Sequence, residues 1–244
     1  CDLWVWGNES EAEQLVARVQ AMRQAGAPLT MDLRLRPEGR SGPLATNVAS
    51  FRKYRAERLE TWERMAISRA RMLGEAPTAR PEIEDLLAQP LRGEEFEELL
   101  AMKHRIETER VTAHHWRRQI RHSPGGTDDV EWLIHLALMK VPAWRPPVAD
   151  GLRAEFTSLE NSRLLPAEDV ETLRQTYHLW QQLRLALAVL AFDADVVPEN
   201  PDKLDALAEV LKYETGNDLL RAIQQGQADV RRIFDKGVRR LQEW

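Results

Sequence analysis

The stretch Met31-Asp32-Leu33-Arg34-Leu35-Arg36 sets a carboxylate and two guanidinium groups at every second position, with Met31, Leu33 and Leu35 alternating with them. A period of two is that of a half-buried β-strand, so the three charged residues share one face and the three apolar residues the other. Arginines on such a face can bind phosphate or hold a carboxylate in place, and the carboxylate can meet a cation or accept a proton. The same alternation suits an ordinary edge strand with a solvated charged face, and the pattern alone leaves both readings open. Pro37 and the Gly39, Gly42 and Pro43 cluster end the strand and turn the chain ahead of Leu44.

Two further elements must position that face. Cys1 to Trp6 alternates in the β manner and stops at Gly7-Asn8. Glu9 to Gln24 predicts an amphipathic helix with Ala12, Leu15, Val16, Val19 and Met22 on one side and Gly26 as its stop. The order strand, helix, strand brings Asp2 and Asp32 into one small sheet. No further strand is evident, and everything after residue 45 reads as helix. A chain that begins inside a strand pattern also reads as a fragment.

Helices are predicted over Asn47 to Tyr54 and Leu59 to Met72, with Val48, Phe51, Trp62, Met65 and Ala66 on their apolar faces. Arg69 and Arg71 lie two residues apart on the second and cannot share its face. Pro77, Pro81 and Pro90 mark residues 74 to 92 as a broken connection holding one short helix, Ile83 to Leu87. Glu94 to Ile120 reads as one long helix, with Leu99, Ile106, Ala113 and Ile120 recurring every seven residues and Phe96 and Trp116 filling the seam. His104, His114 and His115 on it are surface or satisfied residues, because adjacent histidines cannot chelate from one helix face. Ser123-Pro124-Gly125-Gly126 breaks the pattern, and Asp128 to Met139 starts another helix. Asp128 and Glu131 have the spacing of a capping box, which is a sufficient reason for both acids. After a linker at Pro142, Pro146 and Pro147 comes the stripe Val170, Leu173, Tyr177, Trp180, Leu183, Leu187 and Leu190, then helices over Leu204 to Leu211 and Leu219 to Leu241. Such stripes are core by default.

With 244 residues, 43% hydrophobic and 30% charged, the chain can build one large or two small cores of a soluble globular kind. No apolar run approaches the roughly 18 residues that span a membrane, and no secretory leader is evident. The single cysteine, Cys1, excludes an internal disulfide and fits a reducing, cytoplasmic setting. A formal net charge of −5 argues against a general nucleic-acid binder. H-E-x-x-H, P-loop, G-x-G-x-x-G and G-x-S-x-G signatures are all missing.

Taken whole, D-L-R-L-R-P-E-G-R-S-G-P-L at residues 32 to 44 resembles the signature of the bacterial glutamine synthetase adenylyltransferases, nucleotidyltransferases of the DNA polymerase β superfamily. Three more stretches agree in order. Trp62-Glu63-Arg64 with Ala70-Arg71 resembles the family's W-E-R…K-A-R, with Arg69 in place of lysine. Gly125 to Glu131 resembles its G-G-I-x-D-I-E. Val230-Arg231-Arg232-Ile233-Phe234 resembles a V-R-R-V-F near the end of one catalytic half.

The resemblance implies an α+β, mostly helical protein. Residues 1–75 would form a partial nucleotidyltransferase fold with a small mixed sheet, and residues 93–244 a helical bundle. Asp2 matches the second aspartate of an S-D-x-D-L metal motif, whose first aspartate and Gly-Ser pair would lie upstream. Asp2 and Asp32 are then metal ligands for Mg²⁺, Asp32 is also the catalytic carboxylate, and ATP is the nucleotide substrate. Arg34, Arg36, Arg69, Arg71 and Arg121, the last standing where the family usually has lysine, would contact nucleotide or phosphate. The implied activity adds AMP to, or removes it by phosphorolysis from, a tyrosine of glutamine synthetase, with a PII-type signalling protein as a further partner and no role for nucleic acid or membrane. The motifs lean toward the removing half. Lacking the first aspartate, residues 1 to 244 alone are expected to turn over little. Two alternatives stand beside this: a PII-type uridylyltransferase, and a non-catalytic regulatory module that keeps the fold.

Overall fold

The computed structural model describes residues 4–26, 43–72, 77–111, 116–146, 151–193 and 195–244. The chain divides into two compact units, Cys1–Gln89 and Pro90–Trp244. Among the described residues the secondary structure is mostly helical with one two-stranded sheet, an α+β arrangement as the sequence predicts.

In the first unit, β1 (Val5–Trp6) pairs in parallel with β2 (Ala45–Thr46), Val5 opposite Ala45 and Trp6 opposite Thr46. A strand at β2 corrects the reading of everything after residue 45 as helix. Its two residues show no alternation to read, and tertiary bonds create it: Glu9 accepts the N–H groups of Leu44 and Ala45 at 2.9 and 3.0 Å, and the Trp4 indole donates to Thr46 Oγ1 at 2.7 Å. The predicted strand over residues 31 to 36 lies outside the described residues.

α1 (Glu9–Gln24) matches its predicted bounds. Asn8 caps it through a reciprocal bond pair with Glu11, which satisfies two otherwise orphaned donors. α2 (Val48–Glu57) is capped by Asn47, α3 (Thr61–Ser68) by the reciprocal pair Glu60 and Glu63, and α4 (Ala79–Leu87) completes the unit. α4 starts four residues ahead of the predicted short helix, because Arg52 grips Glu82 through three hydrogen bonds and Arg55 pairs with Asp85 at 2.6 Å. Trp4, Trp6 and Phe51 form an aromatic cluster with centroids 5.0 to 5.6 Å apart, both tryptophans meeting Phe51 edge-on and each other at a tilt.

The second unit holds α5 (Gly93–Arg110), α6 (Thr127–Lys140), a 3-10 turn at Pro142–Trp144, α7 (Gly151–Ser162), α8 (Ala167–Val189), α9 (Pro201–Val210) and α10 (Gly216–Glu243). The helix predicted over 94 to 120 stops at Arg110, where Val111 turns extended. Residues 118–120 bond instead to the 195–197 segment: Ile120 N–H to Asp195 at 2.9 Å, Val197 N–H to Arg118 at 2.9 Å, and an antiparallel bridge between Gln119 and Val196. Ile120 is buried, as the heptad implied, but from a bridge and not from a helix. Trp116 does not fill the seam; it is exposed, with the Arg117 guanidinium stacked on it. α7 is an addition that the sequence reading left out.

α6 is the spine of this unit, with twelve of its fourteen residues buried. The α8 stripe packs as predicted, and Trp180, Leu183 and Leu187 join Leu204, Leu207 and Leu219 in one cluster. Among the described residues, no helix is long and apolar enough to cross a membrane.

Candidate functional site

Asp2, Asp32, Arg34 and Arg36 lie outside the described residues. In the first unit β1 begins at Val5, α1 follows it, and β2 pairs with β1 at Ala45–Thr46. Two carboxylates are hard oxygen donors, the kind a divalent cation such as Mg²⁺ takes. Among the described residues, no cluster of three or more His, Cys, Asp or Glu could hold a metal. His104 is exposed, as predicted, whereas His114 and His115 lie outside the described residues.

α3 ends at Ser68, short of the predicted Met72, with Arg69 as its cap and Arg71 beyond it. Both arginines are exposed. Neither lies within a helix, so no helix face separates them, contrary to the sequence expectation. The Trp62-Glu63-Arg64 stretch supports its own surroundings. Glu63 accepts the Glu60 N–H at 2.9 Å and the Tyr54 hydroxyl, and Arg64 is buried. Burial and the carboxylate beside it hold the Tyr54 phenol well above its ordinary range.

Arg121 belongs to the second unit and sits on a loop held by many internal hydrogen bonds. The Gln119 side-chain oxygen accepts the N–H groups of Arg121, His122 and Ser123 at 3.0, 2.6 and 2.9 Å. The Gln119 carbonyl accepts the Ser123 hydroxyl and, at 3.2 Å, the Gln227 amide. Gly125 donates to Asp129 Oδ2 at 2.7 Å. Two glycines are obligatory. Gly125 has φ +80°, and a methyl group there would lie 1.9 Å from the Gln227 carbonyl oxygen; at Gly126 one would lie 2.5 Å from the Arg121 carbonyl.

This loop folds back over the start of α6 and closes it. Gly126, Thr127, Asp128 and Asp129 N–H groups bond to the carbonyls of Ser123, Ile120, Arg121 and Gly126. A helix N-terminus often receives an anion on its free N–H groups; here those groups are taken, so a phosphate would be met by side chains. Between Gln119 and Val130 only Arg121 is exposed, its side chain 45% accessible and its Nε 3.8 Å from Asp128.

Asp128 is not half of a capping box, and this corrects the sequence reading. α6 begins at Gly126 without a side-chain cap. Asp128 accepts from His122 Nδ1 at 2.7 Å, and Glu131 accepts from the Tyr177 hydroxyl at 2.9 Å. Burial acts to raise Asp128, but its His122 partner, with Lys103 and Arg121, holds it below the usual carboxylate range.

Behind the loop lies a buried charge network. Lys103 bridges Glu107 at 2.5 Å and Asp129 at 2.6 Å. Arg231 reaches Glu107 at 2.7 Å, Asp129 at 3.4 Å and Asp235 at 3.1 Å. Lys103 and Asp129 are almost wholly buried. Burial pushes the Asp129 carboxyl up, against the pull of Lys103, Arg231 and the Gly125 N–H. Burial opposes the charged form of Arg231 too, yet Asp129, Glu107 and Asp235 raise it above its ordinary value. Sequence reasoning missed Lys103, Glu107, Asp129 and Arg231 as a group. The available signals were the i,i+4 pair on α5 and the acid and arginine inside the Gly125–Glu131 and Val230–Phe234 stretches.

The comparisons with known proteins divide along the chain. Residues 10–85 match the family model described as Glutamate-ammonia ligase adenylyltransferase. Residues 96–237 match the one described as GlnD PII-uridylyltransferase. Curated relatives named bifunctional glutamine synthetase adenylyltransferase/adenylyl-removing enzyme include one from Xanthobacter autotrophicus, 32% identical over 92% of this chain and 23% of its own length. One from Mesorhizobium japonicum is 31% identical over 91% and 23%, and one from Bifidobacterium longum subsp. infantis 32% over 84% and 21%. The chain thus spans about a quarter of the length of these relatives. It belongs to the family described as GlnD PII-uridylyltransferase, matched over residues 96–237, and its residues 10–85 are similar to the glutamate-ammonia ligase adenylyltransferase family.

Proposed function

We propose that this chain is part of a nucleotidyltransferase that adds AMP to a tyrosine of glutamine synthetase or removes it by phosphorolysis. The observation that carries this reading is the ordered string Asp32 to Leu44, which falls inside the segment matched by the adenylyltransferase family model. Relatives that carry that printed name run along both units. Residues 1–75 form the nucleotidyltransferase part and residues 93–244 a helical domain. The protein acts in the cytoplasm, with a PII-type signalling protein as a further partner.

ATP, or AMP on the protein, places several negative oxygens around the α-phosphorus, and an incoming hydroxyl or phosphate must reach it in line. Asp2 and Asp32 would hold a divalent cation such as Mg²⁺, whose charge would offset that of the phosphate oxygens. Asp32 also accepts the proton of the attacking oxygen. Arg34 and Arg36 bind phosphate oxygens or steady the two carboxylates, Arg69 and Arg71 add phosphate contacts, and Arg121 offers a phosphate contact on the second unit by itself. A second reading, uridylyl transfer to a PII-type protein, draws on the match over residues 96–237. The relatives that run through both segments favour AMP.

The experiment is AMP transfer to, and phosphorolysis from, glutamine synthetase by the protein carrying this sequence, wild type against Asp32→Asn. The substitution keeps size and polarity and removes the charge. Turnover is expected to fall about a thousandfold or more, near 4 kcal/mol of barrier, with an unchanged melting curve. Near-normal turnover would make Asp32 structural, and UMP transfer in place of AMP would favour the second reading.

A further inference from the structure

We propose that Arg231 and Asp129 are positioning residues that lock the Gln119–Gly126 loop, and with it Arg121, in the arrangement that meets phosphate; this rests on the phosphate role given to Arg121 above.

Energetics is the first reason. Lys103, Glu107, Asp129 and Arg231 bring four charges together at a site where Lys103 and Asp129 are almost fully removed from water. Buried ion pairs are seldom more stabilising than apolar side chains of the same volume, so packing alone does not account for them. Geometry is the second. Asp129 divides its two oxygens, Oδ1 toward Lys103 and Oδ2 toward the Gly125 N–H and Arg231. The loop backbone is therefore tied to a carboxylate whose place is set by two cations. Gln227 and Arg231 are four residues apart on α10 and so lie on one face. That face grips the loop twice: Gln227 holds the Gln119 carbonyl and the Ser123 hydroxyl, and Arg231 holds Asp129.

Specificity of purpose is the third. The amides of residues 121–123 and 125–129 are all bonded within the loop and its helix. No backbone N–H is offered outward there, and Arg121 is what the loop exposes. An arginine matches phosphate oxygens by a fixed fork, so the direction of its backbone decides how well it does so. The two stretches Gly125–Glu131 and Val230–Phe234 thus acquire a joint physical reason, since Asp129 lies in one and Arg231 in the other.

The test uses the 244-residue chain and two readouts: amide hydrogen exchange across residues 119–129, and titration with ATP and with inorganic phosphate. In Arg231→Gln the Gly125 amide is expected to exchange about tenfold or more faster, the factor for losing one hydrogen bond to a charged group, while α8 and α9 amides stay protected. ATP and phosphate affinity should fall by as much as in Arg121→Ala, with no further loss in the double variant, and Arg231→Lys should restore both. Should Arg231→Gln not fold, Glu107→Gln, which leaves Arg231 in place but frees one of its partners, is expected to speed exchange at Gly125 by a smaller factor. Unchanged Gly125 exchange in the folded variant overturns the proposal, as does a loss of affinity that adds in full to that of Arg121→Ala. Arg121→Ala without effect on either ligand would sink the phosphate role of Arg121, and Gly125 exchange would still decide whether Arg231 holds the loop.

Discussion

Helix α1 in the first unit buries Ala12 alone, and Leu15 and Met22 from its predicted inner face stand exposed. Helix α6 in the second unit buries all but two of its residues, polar ones included. The first unit is ordered from its ends, by caps at Asn8, Asn47 and Glu60 and by carboxylates that accept backbone N–H groups. The second is ordered from its centre, where apolar contact is deep enough to enclose Lys103 and Asp129. Charge can be buried deeply only where every partner is supplied, as for Lys103 and Asp129 in the second unit, whereas in the first unit the Glu9 carboxylate fixes backbone close to solvent. Amphipathic periodicity looks alike in both, and what it buries depends on what lies opposite.

The sharpest way to break this comparison is Gly125→Ala. Left-handed backbone costs a non-glycine residue about 1 to 2 kcal/mol, and forcing a methyl into a filled site typically adds about 1 to 3. A loss of about 2 to 5 kcal/mol is expected by denaturant unfolding, and less than about 1 would mean that the loop yields easily.

Leu187→Ala should follow closely. Leu187 is fully buried in the α8 cluster, and emptying such a site costs about 2 to 5 kcal/mol. A value below about 1 kcal/mol would show the stripe to be shallow, like the α1 face.

Acid should weaken the second unit through Asp128 and Asp169. Burial alone would raise both, but their cationic partners hold them below the unfolded value. Their contribution is present in full above the unfolded carboxylate pKa, near 4, and is lost as pH falls through that value toward the lower folded one. Asp129, raised by burial, acts in the opposite sense. The comparison is therefore the unfolding midpoint at pH 6 against pH 3, wild type minus Asp128→Asn. A smaller acid loss in the variant is expected, and an equal loss would show that Asp128 contributes nothing to it.

The smallest effect belongs to α1. Leu15→Ala should change stability by no more than about 0.5 kcal/mol, since Leu15 is 40% exposed. A loss near that of Leu187→Ala would erase the contrast between the units.

The bounds of α1 were legible in the sequence because Asn8 and Glu11 form a local signal three residues apart, and so was the α8 stripe, whose inward residues repeat at helical spacing. Failures came where a local pattern had a distant partner. Ile120 completes a heptad, yet Asp195 takes its N–H. Asp128 and Glu131 have capping-box spacing, yet His122 and Tyr177 claim them. The Lys103–Asp129 and Arg231–Asp129 pairs join residues 26 and 102 positions apart, and no periodicity encodes that. Asp32 and its alternating arginines carry the clearest chemical signal of the sequence, through their spacing and their family resemblance, and they lie outside the described residues. Arg121 was legible only as a residue type at a motif position. The loop that presents it depends on Gln119, Gln227 and Arg231, which no local rule connects.

The parallel pairing of β1 with β2 has a kinetic consequence. Val5 and Ala45 are 40 positions apart, and closing a flexible chain of that length costs about 3 kcal/mol of entropy before the two-residue ladder returns anything. Nucleation of the first unit therefore belongs to the capped helices and the Arg52–Glu82 clasp, and the strands zip late. Such a pair forms slowly, yet doubling the crossover would cost only about 0.6 kcal/mol more. Length added between the paired strands would therefore slow their pairing and lower the stability of the unit by similar, small amounts.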